Sequence, residues 1–260
     1  MPSALHQHDW PCVGPAITGL HGWGGTGRDF EPLASAGGFH WRAVDLVGHG
    51  LSDAPEDLDA YGLEAQLHQL TSTMTPGGFL LGYSMGARLA LHYALRRPDT
   101  LQGLILVSGT AGLEMESERT TRRAWDHEQA ESLEEMGAPA FMTQWEQQPL
   151  LSTAARGIPR ATYDHMMNRR REARSDALAR SFRAFGTGTM PSAWEGLSLL
   201  PVPTLLVVGE KDPGYCRLAE RMRNLIPQAD LVTIPGAGHR PHLENGPIFQ
   251  ERLRHWMAGR

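Results

Sequence analysis

Short apolar runs with β-branched or aromatic content recur at Ala16–Leu20, Trp41–Leu46, Phe79–Tyr83, Leu101–Ser108, Thr204–Gly209 and Asp230–Ile234. Their length and composition predict strands, and helical patterns fill most of the gaps between them. In Met85–Arg97, Leu89, Tyr93 and then Leu95 or Arg96 fall at helical spacing, and Pro98 stops the helix. Strands alternating with helices predict an α/β fold, a mostly parallel sheet with both faces covered.

Between Gly112 and Pro201 the strand pattern vanishes. The residues there read as several polar helices broken at Gly137, Pro149, Pro159 and Gly186–Gly188. This predicts a helical cap over residues 113–200, inserted into a core made of residues 1–112 and 201–260. An insertion between two strands sits over their ends, where an open α/β sheet binds its ligand.

Composition narrows the partner. A chain of 260 residues suits one domain with an insertion, and the net charge of -5 comes without a long block of one sign. Neither nucleic acid nor a membrane surface is indicated, which leaves a small molecule. Met1 to Pro15 hold no apolar stretch of signal-peptide type and no later run approaches a membrane span, so a cytoplasmic protein is expected. Cys12 and Cys216 are expected as free thiols with no assigned role. Lys211 is the single lysine, so the choice of arginine at any one position carries little information by itself.

Gly82-Tyr83-Ser84-Met85-Gly86 follows an apolar run and opens the Met85–Arg97 helix. That is the strand, sharp turn and helix context of a nucleophile elbow, in which glycines two residues either side of the serine avoid a clash. A serine hydroxyl needs a neighbour to accept its proton, and that neighbour needs a carboxylate to fix its tautomer. Asp212 stands just past the Thr204–Gly209 strand, and His239 follows the next strand in Pro235-Gly236-Ala237-Gly238-His239. Singly these residues read as a turn former and a surface histidine; together, downstream of an elbow, they predict the triad Ser84, His239 and Asp212.

Negative charge developing on a substrate oxygen needs backbone N–H donors. His21-Gly22-Trp23-Gly24-Gly25 after the first strand fits the loop that supplies one from Trp23, with Met85 supplying the other. No metal site is expected: His6 and His8 lie in an irregular N-terminus, and His239 and His242 lack the helical i, i+4 spacing of a zinc site. No dinucleotide fingerprint follows a strand.

The residues resemble a family within the α/β-hydrolases, the 2-succinyl-6-hydroxy-2,4-cyclohexadiene-1-carboxylate synthases of menaquinone and phylloquinone biosynthesis. General superfamily features are Leu20-His21-Gly22, Asp45-Leu46-Val47-Gly48-His49-Gly50-Leu51-Ser52, the elbow, and the Asp212 and His239 loops. More discriminating are the elbow extended to Ala87-Arg88, Gly112-Leu113 with Glu118-Arg119 and Arg122, and Trp145-Glu146-Gln147-Gln148-Pro149-Leu150. Arg171 to Ala179 and Gly186-Thr187-Gly188 with Pro191 and Trp194 complete the likeness.

The resemblance implies an α/β-hydrolase fold and a cofactor-free lyase that eliminates pyruvate from an anionic cyclohexene. It implies substrate contacts at Tyr83, Arg88, Arg122, Trp145 and Arg171, with Arg169, Arg170 and Arg174 competing for the last place. Arg88, four residues after Ser84, shares its helix face. Two other readings use the same core: a serine hydrolase of esters or carbon–carbon bonds, which would not require the arginines, and a non-catalytic ligand receptor.

Overall fold

The computed structural model describes residues 4–74, 76–155 and 157–260. Its sheet has seven strands: β1 (Gln7–Trp10), β2 (Ala16–Leu20), β3 (His40–Val44), β4 (Gly78–Tyr83), β5 (Leu101–Val107), β6 (Thr204–Gly209) and β7 (Ala229–Ile234). They lie in the order β1-β3-β2-β4-β5-β6-β7. All pairs are parallel except β1 with β3.

Alternation of side chains across the pleat sorts the central residues onto two faces. Leu80, Leu104, Leu106 and Leu206 belong to one apolar cluster, which takes in helices α2 (Leu63–Thr73), α3 (Met85–Arg96) and α8 (Pro213–Leu225). Phe79, Leu81, Ile105, Val107 and Leu205 belong to the other, covered by α1 (Glu31–Ser35) and α10 (Gly246–Met257). Because both faces are buried, the inner strands are apolar at nearly every position, which is why they stand out in the sequence.

Strand β1 is the element the sequence reading placed in an irregular N-terminus. Its residues Gln7, His8, Asp9 and Trp10 pair antiparallel with β3 at the sheet edge, two of the four exposed, so no apolar run marks it. Three predicted C-terminal boundaries also move, while β3, β4 and β7 each start one residue earlier than expected. Strand β3 ends at Val44 because the Asp45 carboxylate turns to accept N–H bonds from Gly27 (2.7 Å) and Leu51 (2.9 Å). Strand β5 ends before Ser108, whose φ of 47° leaves the extended region. Helix α3 ends at Arg96, since a residue before proline is disfavoured in the α region and Arg97 takes φ -134°.

Between β5 and β6 the chain forms α4 (Glu116–Trp145), α5 (Pro149–Ala155), α6 (Arg160–Arg171) and α7 (Ser175–Phe185). Gly137, at φ 76° and ψ 158°, interrupts the helical backbone of α4 where a break is expected, while Pro149 opens α5 and Pro159 precedes α6. Leu133, Phe141, Met166, Leu178 and Phe182 form a separate apolar cluster among these helices. That cluster meets the rest of the protein through Trp23 and through Leu243 of the short helix α9 (Pro241–Glu244). Among the described residues no helix is long and apolar enough to cross a membrane.

Candidate active site

Strand β4 delivers Ser84 to the sheet's C-terminal edge and α3 carries the chain away at once. Ser84 sits at φ 51°, ψ -107°, a conformation that costs a non-glycine residue about 1–3 kcal/mol. A β-carbon on Gly82 would overlap the Gly86 carbonyl, and one on Gly86 would overlap that of Leu20. The flanking glycines therefore have the steric role that the motif predicts, and the turn holds the partly exposed hydroxyl above the strand ends.

The other two triad candidates converge on it. His239 Nε2 lies 3.3 Å from Ser84 Oγ, and His239 Nδ1 lies 2.8 Å from Asp212 Oδ2. Their loops are tied backbone to backbone: the Lys211 N–H donates to the Ala237 carbonyl at 2.8 Å, and a β-carbon on Gly209 would overlap the Gly238 carbonyl. Asp212 also caps α8, where its Oδ1 accepts from the Tyr215 N–H at 3.3 Å. Burial lowers the His239 pKa below the ordinary histidine value, with the Asp212 carboxylate opposing the shift. The imidazole is thus a neutral base at neutral pH, able to take a proton from Ser84.

Met85 is the first residue of α3, so its N–H has no carbonyl of its own helix to bond. The loop bearing Trp23 is fixed by His21, whose Nε2 accepts the Leu46 N–H at 3.0 Å. The ring proton must then be on Nδ1, which donates to the Gly22 carbonyl at 2.8 Å. Gly22 packs so closely on Tyr83 that a β-carbon there would lie 2.7 Å from its ring.

A cavity of about 280 Å³ opens over Ser84 and His239, roofed by α4 and α7. Trp23, Tyr83, Met85, Arg88, Arg122 and Trp145, all expected at the site, line it. Arg88 is buried, with its guanidinium 5.5 Å from the Phe185 ring centre and Nη1 3.8 Å from Met190 Sδ. Among the described residues no carboxylate pairs with it; burial and the nearby Arg122 charge lower its pKa to about 10. Arg122 is 38% exposed, bonds Asp126 at 2.8 Å and lies over the Trp125 ring. Trp145 packs in an aromatic group, 4.8 Å from Trp23 and 5.4 Å from Phe182 between ring centres, at inclined and edge-on angles. Burial pushes the Tyr83 phenol up to about 12, so it stays protonated.

Arg171 does not join them. It is exposed and away from the cavity, while Arg170, about 100° round the helix, is buried and lines it. Arg169 bonds Asp29 at 2.9 Å, and Arg174 donates to the Ser52 carbonyl at 2.6 Å. Of the four competing arginines the cavity receives Arg170.

Sequence reasoning did not single out Arg240 and Tyr215, which line the cavity, or Glu146, which bonds Arg240. Arg240 is 1% exposed and gives both terminal nitrogens to Glu146, at 2.8 and 2.6 Å; Arg170 bonds the same carboxylate. Burial opposes the charge of Arg240, but the Glu146 bonds outweigh it and hold its pKa above the ordinary value. Adjacency to His239 and to Trp145 was the available signal. Tyr215 places its ring 4.5 Å from that of His239 and lines the cavity.

His6, His8 and Asp45 bring ligand-type atoms within 4.8 Å of one another, His6 standing just before β1 and His8 on it. Asp45 is already committed: Oδ1 accepts from Gly27 and His8, and Oδ2 from Leu51. The group ties β1 to two loops, and none of its members lines the cavity over Ser84.

The alpha/beta hydrolase family pattern matches residues 20–250. A Yersinia pestis protein named 2-succinyl-6-hydroxy-2,4-cyclohexadiene-1-carboxylate synthase is 30% identical over 262 residues, covering 98% of this chain and 90% of that one. A Bacillus subtilis relative, provisionally named for the same synthase, is 31% identical over 95% of this chain and 92% of its own. Among solved structures, MenH from S. aureus superposes with a TM-score of 0.91 at 27% identity, covering 98% of both chains. An esterase from Exiguobacterium antarcticum reaches 0.77 at 22% identity, with 98% and 95% coverage, a likeness of fold alone.

Proposed function

As a member of the 2-succinyl-6-hydroxy-2,4-cyclohexadiene-1-carboxylate synthase family of α/β-hydrolases, this chain is, we propose, a cytoplasmic, cofactor-free carbon–oxygen lyase. It eliminates pyruvate from 2-succinyl-5-enolpyruvyl-6-hydroxy-3-cyclohexene-1-carboxylate, in menaquinone or phylloquinone biosynthesis. The observation that carries the reading is Arg88, a buried cation without a carboxylate partner among the described residues, facing the same cavity as Ser84 and His239. A buried charge is costly until it is paired, so the cavity suits a carboxylate-bearing ligand better than a neutral ester.

Ser84, Asp212 and His239 act as one proton-transfer unit. His239 takes the Ser84 proton while Asp212 stabilises the resulting imidazolium. The Ser84 oxygen removes the ring proton α to the succinyl ketone, and the Trp23 and Met85 amides hold the enolate oxygen. The electron pair then shifts through the ring double bond and expels the enolpyruvyl oxygen. The departing enolate takes up one proton to become pyruvate. The step is redox-neutral and forms no acyl-enzyme.

Residues 113–200 act as a cap that excludes water and supplies Arg122 and Trp145, with Tyr83 and Arg88 contributed from the core. Arg170 takes the place first considered for Arg171. Binding several carboxylates converts their charge into orientation of the acidic carbon against Ser84, which a neutral ester cannot match. The test is to supply the enolpyruvyl substrate to the purified protein and follow pyruvate, with a nitrophenyl ester in parallel. Fast ester turnover without pyruvate would replace the lyase by a hydrolase.

A further inference from the structure

Tyr215 brings a hydroxyl to the cavity that the triad and the arginines leave unused. Its backbone is fixed at the start of α8, where the N–H donates to Asp212 Oδ1. Its half-buried ring packs on the His239 imidazole at 4.5 Å, inclined by 60°. No described residue hydrogen-bonds to the hydroxyl, and it is not among the buried polar atoms sealed off without a partner, so it is open to a ligand in the cavity.

The surroundings define what that partner is. Arg88 and Arg122 line the same cavity, and both charges act on the Tyr215 phenol. Burial, the largest influence, raises its pKa and keeps it protonated. A neutral O–H donor lining the same cavity as two cations, with the Asp126 carboxylate there already bonded to Arg122, offers the recognition chemistry of a carboxylate. Arg122 already has Asp126, whereas Arg88 forms no salt bridge among the described residues, Asp126 acting on it only as a nearby charge.

Resting on the lyase reading, we propose that Tyr215 is a specificity-determining residue whose hydroxyl, together with Arg88 and Arg122, receives one carboxylate of the substrate. Its ring, packed on His239, sets the distance between that carboxylate and the proton-transfer unit. The phenol thereby links recognition to the base.

Tyr215→Phe keeps the ring and removes only the hydroxyl. For pyruvate release, KM rises roughly 10-fold or more, as expected for a hydrogen bond to a charged group, and kcat changes by less. The thermal midpoint stays with the wild type, because the ring contact is intact. Binding of succinate, followed by tryptophan fluorescence, separates failure of this inference from failure of the lyase reading. Weaker succinate binding in Tyr215→Phe, with no pyruvate released by either protein, would keep the carboxylate contact and remove the lyase. Unchanged KM together with unchanged succinate affinity, or a lowered thermal midpoint as the sole effect, would overturn the assignment of Tyr215.

Discussion

Glu146, just past the end of α4, holds both terminal nitrogens of Arg240, the residue that follows His239, at 2.8 and 2.6 Å. The same carboxylate bonds Arg170 of α6, so one buried anion joins two helices above the sheet to the loop that carries the base. Burial raises the Glu146 pKa, but Arg170 and Arg240 more than offset it and keep the group ionised.

Removing that anion leaves two buried cations without compensation. Breaking a buried ion pair from one side costs about 3–5 kcal/mol, and for a chain of this size each kcal/mol moves the melting temperature by about 2–4 °C. Glu146→Gln is therefore expected to melt on the order of 10 °C lower and to release pyruvate more slowly, as the His239 loop loses its tie. A melting curve that coincides with the wild type would show that the network carries no stability.

Arg88 should behave in the opposite way. It has no carboxylate partner among the described residues, so Arg88→Ala relieves a desolvated charge and leaves the melting temperature near or above that of the wild type. A charge-assisted hydrogen bond is worth about 1.5–3 kcal/mol, so kcat/KM should fall roughly 10- to 150-fold. Steady-state kinetics decide: a variant with unchanged kcat/KM would reduce Arg88 to a packing residue against Phe185.

Activity should persist into mildly acidic solution. Burial lowers the His239 pKa, so the neutral form that accepts the Ser84 proton remains populated below the ordinary histidine value of about 6.5. As pH falls through the lowered value the imidazole protonates and kcat/KM declines. The acid limb of the pH profile should thus have its midpoint below about 6.5. A midpoint on the alkaline side of that value would mean that Asp212 dominates over burial.

The strands and the elbow were legible in the sequence because their physics is local. A buried parallel strand needs an apolar residue at nearly every position, and Ser84 needs Gly82 and Gly86 whatever surrounds it. Strand β1 escaped because an edge strand half open to solvent alternates without an apolar run. The sequence leaves Arg169, Arg170, Arg171 and Arg174 competing because helical register decides which neighbour faces inward, and an arginine-rich segment carries no contrast to set that register. Glu146 and Arg240 are 94 positions apart, and their pairing depends on how the helices between β5 and β6 seat on the sheet, which no local pattern encodes.

The central claim is that Ser84, driven by His239, starts an elimination that ends in free pyruvate. The most direct measurement is the rate of pyruvate release from 2-succinyl-5-enolpyruvyl-6-hydroxy-3-cyclohexene-1-carboxylate by the wild type, Ser84→Ala, His239→Ala and the double variant, each verified as folded by circular dichroism. The account predicts pyruvate from the wild type, a loss of several orders of magnitude in each single variant, and little further loss in the double, because the residues work as one unit. Pyruvate release by Ser84→Ala at near the wild-type rate, or none from the wild type, would contradict it.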